Sequence, residues 1–304
     1  MDTPSGNGIV VGIDGSDSAL NAARWAGCLA QRIGEPLRLV HVHELRREHR
    51  HEHERDRERE REQGAEESGA MLAAATSAVR EVADDIGIEP ISSDGEPDRL
   101  LIDLSASARM IVLGHTTTTE WESMVQHSDV VSVSNHAVCP VVTWRSLDGF
   151  HPPDDRPILV GMDGTDLSIA AVEHAYAVAA ALGAPLVAIH TWSEESTFTY
   201  GEASRFTDWT AYIDRMKAHM TDRLGRFAER YPDVEVSQRI EHGRPDIHLI
   251  DESPTAQLVV VGSHGRSAAA AAVLGSTSQG LMHHSSCPVM ICRARSHGHH
   301  LTGA

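Results

Sequence analysis

Short runs of apolar residues alternate along the chain with longer segments in which apolar residues recur every three or four positions. In the C-terminal half the apolar runs predict five strands: Ile158–Met162, Leu186–Ile189, Val234–Ile240, Leu258–Val261 and Val289–Cys292. The segments between them predict four helices: Ser168–Leu182, Tyr212–Arg230, Asp246–Glu252 and Ser276–His284. Strands that alternate with helices form βαβ units, and continuous apolar strands indicate a parallel sheet covered on both faces.

The same order of motifs occurs twice. Val11–Ser16 recurs as Val160–Thr165 at an offset of 149 residues, and His136–Val141 recurs as His284–Val289 at an offset of 148. A repeat that keeps its order and spacing predicts a duplicated domain. The polar segment 148–155, rich in Pro and Asp, reads as the linker. We therefore expect two domains, residues 1–147 and 156–295.

Composition limits the classes of function. Of the 304 residues 41% are hydrophobic and only 4% are aromatic, which is enough for two aliphatic cores. A formal net charge of −18 argues against sequence-independent binding of nucleic acid, which needs Lys and Arg. The four cysteines form no C-x-x-C pair and no zinc-like spacing, so buried, reduced thiols are expected. The polar N-terminus and the lack of a long apolar stretch predict a cytoplasmic protein without a membrane span.

A glycine-containing loop follows the fourth strand of the second copy. Leu258–Val261 runs into Gly262-Ser263-His264-Gly265, and nine residues later Gly275-Ser276 opens a helix. Glycines let the backbone approach a phosphate, and the N–H groups at a helix start favour an anion. Ser276 and Ser278 can add hydroxyl donors, and Arg266 can neutralise charge. The pattern is neither a Walker A loop nor G-x-G-x-x-G.

In these residues the chain resembles the universal stress protein (UspA) family in a tandem form. Gly262, Gly265, Gly275 and Ser276 fit that family's G-x2-G-x9-G-[ST] pattern, and Gly161-Met162-Asp163 also matches. The resemblance implies two Rossmann-like domains of the adenine nucleotide alpha hydrolase-like type, each a five-stranded parallel sheet flanked by helices. It also implies ATP, with or without Mg²⁺, bound across strands one and four.

The resemblance assigns roles to individual positions. Asp163 would lie by the ribose and base, Thr191 would line the adenine pocket, and the loop glycines and Ser276 would hold the phosphates. The expected ATP-binding residues are Gly161, Met162, Asp163, Thr191, Gly262, Gly265, Arg266, Gly275, Ser276, Thr277 and Ser278.

The first copy departs from this pattern. Gly114 is kept, but Thr117 and His127 stand where glycines are expected, and only Ser128 survives. The loop between them carries Glu120 and Glu122 and no basic residue, which disfavours a triphosphate. We therefore expect one ATP per chain, bound by the second copy.

A charged insert, residues 44–63, follows the second strand of the first copy. Opposite charges recur three positions apart, which favours a solvated helix or an irregular loop. The alternative is a partner or metal site that uses His49, His51 and His53. His41 and His190, near strand ends, are expected to be packed and hydrogen-bonded. No catalytic residues and no metal site are predicted.

Three functions are compatible with these patterns. The first is a cytoplasmic stress-response protein that binds ATP and acts as a ligand-linked regulatory module with a protein partner of unknown identity. The second is a slow ATPase or phosphotransferase, and the third is a nucleotide-free dimerisation scaffold. The short, apolar last strand of each copy also predicts pairing, either as an intramolecular pseudo-dimer or in a homo-oligomer.

Overall fold

The computed structural model describes residues 8–43, 54–115, 123–145, 149–192, 209–263 and 274–293. Of residues 54–61, 123–128 and 166 it describes the backbone alone. The chain divides into two compact units, Met1–Pro153 and Asp154–Ala304.

The first unit alternates strands and helices. Its elements are β1 (Ile9–Gly12), α1 (Asp17–Ile33), β2 (Leu37–His43), α2 (Glu54–Arg80), β3 (Ile88–Asp94), α3 (Pro97–Ser105), β4 (Met110–Gly114), α4 (Ser123–His136) and β5 (Val141–Trp144). The strands pair in parallel in the order β3-β2-β1-β4-β5. Residues 44–53, which include His49, His51 and His53 of the charged insert, lie outside the described residues.

The second unit repeats this arrangement. Its elements are β6 (Ile158–Gly161), α5 (Asp166–Leu182), β7 (Leu186–Trp192), α6 (Trp209–Ala228), β8 (Val236–His242), α7 (Pro245–Glu252), a 3₁₀ turn (Ser253–Thr255), β9 (Leu258–Gly262), α8 (Ser276–His284) and β10 (Val289–Cys292). The order is β8-β7-β6-β9-β10, again parallel throughout. The predicted five-stranded parallel sheet is thus confirmed in each unit.

Some bounds differ from the prediction: β7 ends three residues later and α6 begins three residues earlier than expected. Strand β8, expected at Val234–Ile240, is shifted as a whole and lies two residues later. Pairing explains the shift, because β8 runs in register with β7 from Leu186↔Val236 to Trp192↔His242. Periodicity within one strand carries no information about the length of its neighbour.

Matching caps begin and end the first helix of each unit. Ser16 and Thr165 are the N-cap residues, and their hydroxyls accept from the N–H groups of Ala19 (3.1 Å) and Ser168 (3.3 Å). Each helix ends at a glycine in the left-handed region, Gly34 with φ 67° in the first unit. These caps fix where α1 and α5 start, directly after the turns that follow β1 and β6.

The cores are aliphatic, as the composition predicts. Ile9, Val10 and Val11 of β1 are fully buried, as are Ile158 and Val160 of β6. All four cysteines are free, and three of them, Cys139, Cys287 and Cys292, are buried as expected. Within the described ranges, we find no helix whose length and hydropathy would let it cross a membrane.

Candidate functional site

The strand order of the second unit places two glycines next to each other at the sheet's switch point. The chain leaves β6 toward β7 on one side, while β9 lies on the other side of β6. In open α/β sheets ligands bind beyond the carboxyl ends of the strands at such a point. Gly161 ends β6 and Gly262 ends β9, so these two termini form the floor of the candidate site.

A tight turn after β6 holds Asp163 at this floor. One carboxylate oxygen of Asp163 accepts from the N–H (2.9 Å) and the hydroxyl (2.6 Å) of Thr165, and Gly164 has φ 83°. Asp14 makes the same two bonds to Ser16 in the first unit. The aspartate therefore shapes the turn in both units, whatever else it contacts.

His190 ties the neighbouring strand to this turn. Its Nδ1 donates to the carbonyl oxygen of Met162 (2.7 Å), and the side chain is buried. His41 donates to the carbonyl oxygen of Ile13 (2.6 Å) in the same way. The prediction that both are packed, hydrogen-bonded residues is confirmed.

A cavity of about 220 Å³ opens between the β6–α5 turn and helix α6. The residues that line it are Met162, Asp163, Gly164, His190, Met216, His219, Met220 and Arg223. The last four come from α6, and none of them is among the site residues expected from the sequence. Their spacing of three, four and seven positions puts them on one helix face, a signal visible in the sequence.

Thr191 is not part of this lining. It lies in β7 next to His190, and successive residues of a strand point to opposite faces of the sheet. Since His190 faces the cavity, Thr191 faces away from it. Strand β7 extends beyond its predicted end at Ile189, so Thr191 lies within the strand and Trp192 is its last residue.

Helix α8 begins with an open N-terminus. Gly275 is its N-cap residue, and no described side chain caps the first N–H groups. Ser276 is exposed and Thr277 half-buried. The N–H of Gly275 donates to the carbonyl oxygen of Ser263 (2.8 Å), which holds the helix start against the end of β9.

Ser278 differs from the expectation that it offers a hydroxyl to a ligand. Its side chain is buried, and its Oγ lies within hydrogen-bond distance of the carbonyl oxygens of Ser263 (3.2 Å) and Gly275 (3.0 Å). The hydroxyl proton is thus used to close the loop. Ser276 and Thr277 remain as hydroxyl donors at the helix start. Gly265 and Arg266 lie outside the described residues.

The two equivalent glycines at the ends of β4 and β9 have different surroundings. A Cβ added at Gly114 would lie 2.5 Å from the backbone nitrogen of Ala19. At Gly262 the nearest atoms would be those of Leu167, at 3.4 Å, an ordinary contact. Packing against α1 therefore explains why the first unit keeps Gly114, whereas packing alone does not require Gly262.

The positions that open helix α8 in the second unit lie inside helix α4 in the first unit. Helix α4 begins at Ser123, and the counterparts of Gly275 and Ser276 are His127 and Ser128. These are the fifth and sixth residues of α4, so their N–H groups bond to carbonyls one turn earlier. They are not available to an anion.

Within the part of the site that the structure describes there is neither a reactive thiol nor a metal cluster. Cys292 is the last residue of β10, the strand that pairs with β9, and burial raises the pKa of its thiol, which keeps it protonated. Among the residues that the structure describes, His, Cys, Asp and Glu side chains form no group of three or more that could hold a metal ion.

Comparison with known proteins places both units in one family. The profile of the universal stress protein family matches residues 7–145 and again residues 156–293. A universal stress protein of Mycobacterium tuberculosis is 31% identical over 294 residues, 94% of this chain and 97% of the relative. The crystal structure of one from Archaeoglobus fulgidus covers 94% of this chain and 96% of that one, at 20% identity and a TM-score of 0.66.

A third similar protein carries a nucleotide. It is a universal stress protein solved in complex with cAMP, 27% identical, covering 45% of this chain and 95% of its own at a TM-score of 0.35.

Proposed function

We propose that this chain, which belongs to the universal stress protein family, is a cytoplasmic stress-response protein that binds one ATP through its second unit. It acts as a ligand-linked regulatory module and not as a catalyst with turnover. One observation carries the proposal: α8 opens at Gly275 beside the end of β9, whereas the same positions of the first unit lie inside α4.

The phosphates would bind at the start of α8. Free N–H groups and the helix dipole favour an anion there, and the hydroxyls of Ser276 and Thr277 can donate. Gly262 leaves room for close approach because it has no side chain. The family pattern adds Gly265 and Arg266 to this group. Asp163, at the neighbouring strand end, would face the ribose.

Regulation would follow from ligand linkage. A ligand that binds the folded second unit stabilises it in proportion to the logarithm of its concentration over Kd. A protein partner that prefers the nucleotide-bound surface would then be recruited only when ATP is present. The four free thiols are typical of a reducing compartment, which supports a cytoplasmic location.

Calorimetry with ATP tests the proposal, and we expect a stoichiometry near one. Gly275→Val should abolish binding while the unit stays folded, because φ −68° and ψ 160° suit valine but its side chain fills the phosphate position. His127→Val is the matched control in the first unit and should bind normally. cAMP serves as the comparison ligand.

Three results would contradict the proposal. Two equivalent sites would show that the first unit also binds ATP. Binding that is lost in His127→Val but kept in Gly275→Val would show that ATP binds to the first unit and not to the second. Steady accumulation of ADP in the same samples would make the protein an ATPase.

A further inference from the structure

One edge of the sheet in the second unit carries a row of outward-facing backbone groups. Strand β8 lies at this edge and pairs with β7 on its other side. The N–H of Leu186 donates to the carbonyl oxygen of Glu235, and the N–H of Gly243 donates to that of Trp192, both at 2.8 Å. Backbone groups of successive residues in a strand point to opposite sides. The N–H and C=O groups that point away from β7 are therefore those of Val236, Gln238, Ile240 and His242.

This outward row is open to a further strand. Within the described ranges only its last carbonyl, that of His242, has a partner, because it accepts from Nε2 of His248 (2.9 Å). A carbonyl oxygen has two lone pairs, so it can accept a second hydrogen bond. Gln238 and His242 are exposed, and Ile240 is half-buried. Such an edge is a template for pairing with another chain.

The first unit protects the same edge with a proline. Strand β3 takes the place of β8, and the pairs Leu39↔Pro90 and Ala188↔Gln238 are equivalent, so Pro90 stands where the second unit has Gln238. The equivalent backbone hydrogen bonds put Pro90 in the outward row, where it removes a donor. A proline on an edge strand prevents pairing with another chain. Strand β8 contains no proline and lacks this protection.

The charges along β8 favour a second copy of the same strand. Arg239 and Glu241 lie on one face of β8. Two antiparallel copies centred on Ile240 would place Arg239 of each copy opposite Glu241 of the other. These would be non-hydrogen-bonded pairs, in which opposing side chains lie closest.

The neighbouring registers bring like charges together. Centring the two copies on Arg239 would oppose two arginines, and centring them on Glu241 would oppose two glutamates. Centring them on Gln238 would put Glu235 opposite Glu241. Like charges directly opposite each other destabilise a strand pair. The charge pattern therefore selects the register centred on Ile240, which also brings two isoleucine side chains together.

Both charged side chains are available for this pairing. Glu241 is half-buried and has no hydrogen bond or ion pair with any residue that the structure describes. Arg239 uses Nη1 for the two carboxylate oxygens of Glu252, at 2.8 and 2.7 Å. Its Nε and Nη2 can donate to a second carboxylate.

We propose that the outer edge of β8 is an interface at which two copies of this chain pair antiparallel about a twofold axis at Ile240. Backbone hydrogen bonds and two ion pairs between Arg239 and Glu241 join the copies, and the same surface is used on both sides. The inference goes beyond the proposed function and does not depend on it, because β8 contains none of the expected ATP-binding residues.

Charge exchange tests the register in sedimentation velocity without nucleotide. At a concentration where the wild-type protein is paired, it should have twice the mass of Arg239→Glu and of Glu241→Arg. Each variant places like charges opposite each other twice, so its dimer should dissociate about tenfold or more readily. An equimolar mixture of the two variants should regain the wild-type mass, because one copy then carries two glutamates and the other two arginines. The double exchange should regain it as well.

A proline tests the backbone ladder. Gln238→Pro copies Pro90 of the first unit and should also halve the mass, whereas Gln238→Ala keeps the N–H and is the matched control. Circular dichroism verifies that each variant folds. In hydrogen exchange the amides of Ile240 and His242 should be protected in the wild-type protein and exchange faster in Arg239→Glu.

Three results would overturn the inference. The first is a wild-type protein that has the same mass as folded Gln238→Pro. The second is a mixture of the two charge variants that does not regain the wild-type mass. The third is a wild-type protein that stays monomeric at every concentration, even if β8 then pairs with a strand of a different protein.

Discussion

Adding one methyl group to each of two equivalent glycines should separate stability from binding. Gly114→Ala would place Cβ 2.5 Å from the Ala19 nitrogen, 2.6 Å from the Ser18 carbonyl carbon and 2.8 Å from the Ala19 Cα. All three are backbone atoms at the start of α1, so the helix must move. Overpacking of this kind destabilises a domain by about 1–3 kcal/mol. Gly262→Ala meets only Leu167 at 3.4 Å and should change the unfolding free energy by less than about 0.5 kcal/mol.

Thermal and urea denaturation followed by circular dichroism measure the stability of both variants. For a unit of this size about 1 kcal/mol corresponds to a shift in Tm of roughly 2–4 °C, so Gly114→Ala should be resolved easily. Neither glycine has a positive φ, so backbone strain adds nothing to the comparison. ATP calorimetry should show the opposite ranking, with weakened binding in Gly262→Ala alone. Equal destabilisation of the two units would refute the steric reasoning, and unchanged ATP affinity in Gly262→Ala would refute the close approach of a phosphate.

Three further outcomes are expected. Asp163→Asn keeps the oxygen that accepts from Thr165, so it should leave the fold intact while weakening ATP by about 1–3 kcal/mol in calorimetry, whereas Asp14→Asn should leave ATP affinity unchanged. Replacing Leu45–Gln63 with a short Gly/Ser loop should alter ATP affinity by less than tenfold, about 1.4 kcal/mol, and a larger loss would show that the insert reaches the site. In thiol labelling of the folded protein Cys28 should react first, because it is only half-buried. Cys139 should react slowly even at pH 9, because burial raises its pKa to about 12. Fast labelling of Cys139 at that pH would contradict its burial.

Most of the fold could be predicted from the sequence, because the signals that mark the ends of helices and strands are local. The predicted helix Ser276–His284 and strand Val289–Cys292 match the structure at both ends, since a glycine and a Cys-Pro pair mark their starts. The duplicated motifs supplied the two units in the same way.

The wall of the site was harder to predict. Arg223 looks like any surface arginine of an amphipathic helix, and only the packing of α6 in the folded unit buries its Nη1. The opposite error occurred at Ser278, which fits the motif but uses its hydroxyl to close the loop. In both cases the deciding fact is a contact between distant segments, which a one-dimensional pattern does not encode.

The early start of α4 also determines how easily a phosphate site could be restored in the first unit. In the first unit, a phosphate site would require unwinding five residues of helix, from Ser123 to His127, with the loss of their hydrogen bonds. A glycine at position 127 lowers helix propensity by about 1 kcal/mol at most, too little to reverse the change alone. A single substitution should therefore not restore the phosphate site of the first unit, because the extended helix would persist. An engineer who wants two working sites would do better to transplant the whole β9–α8 connection than to restore single residues.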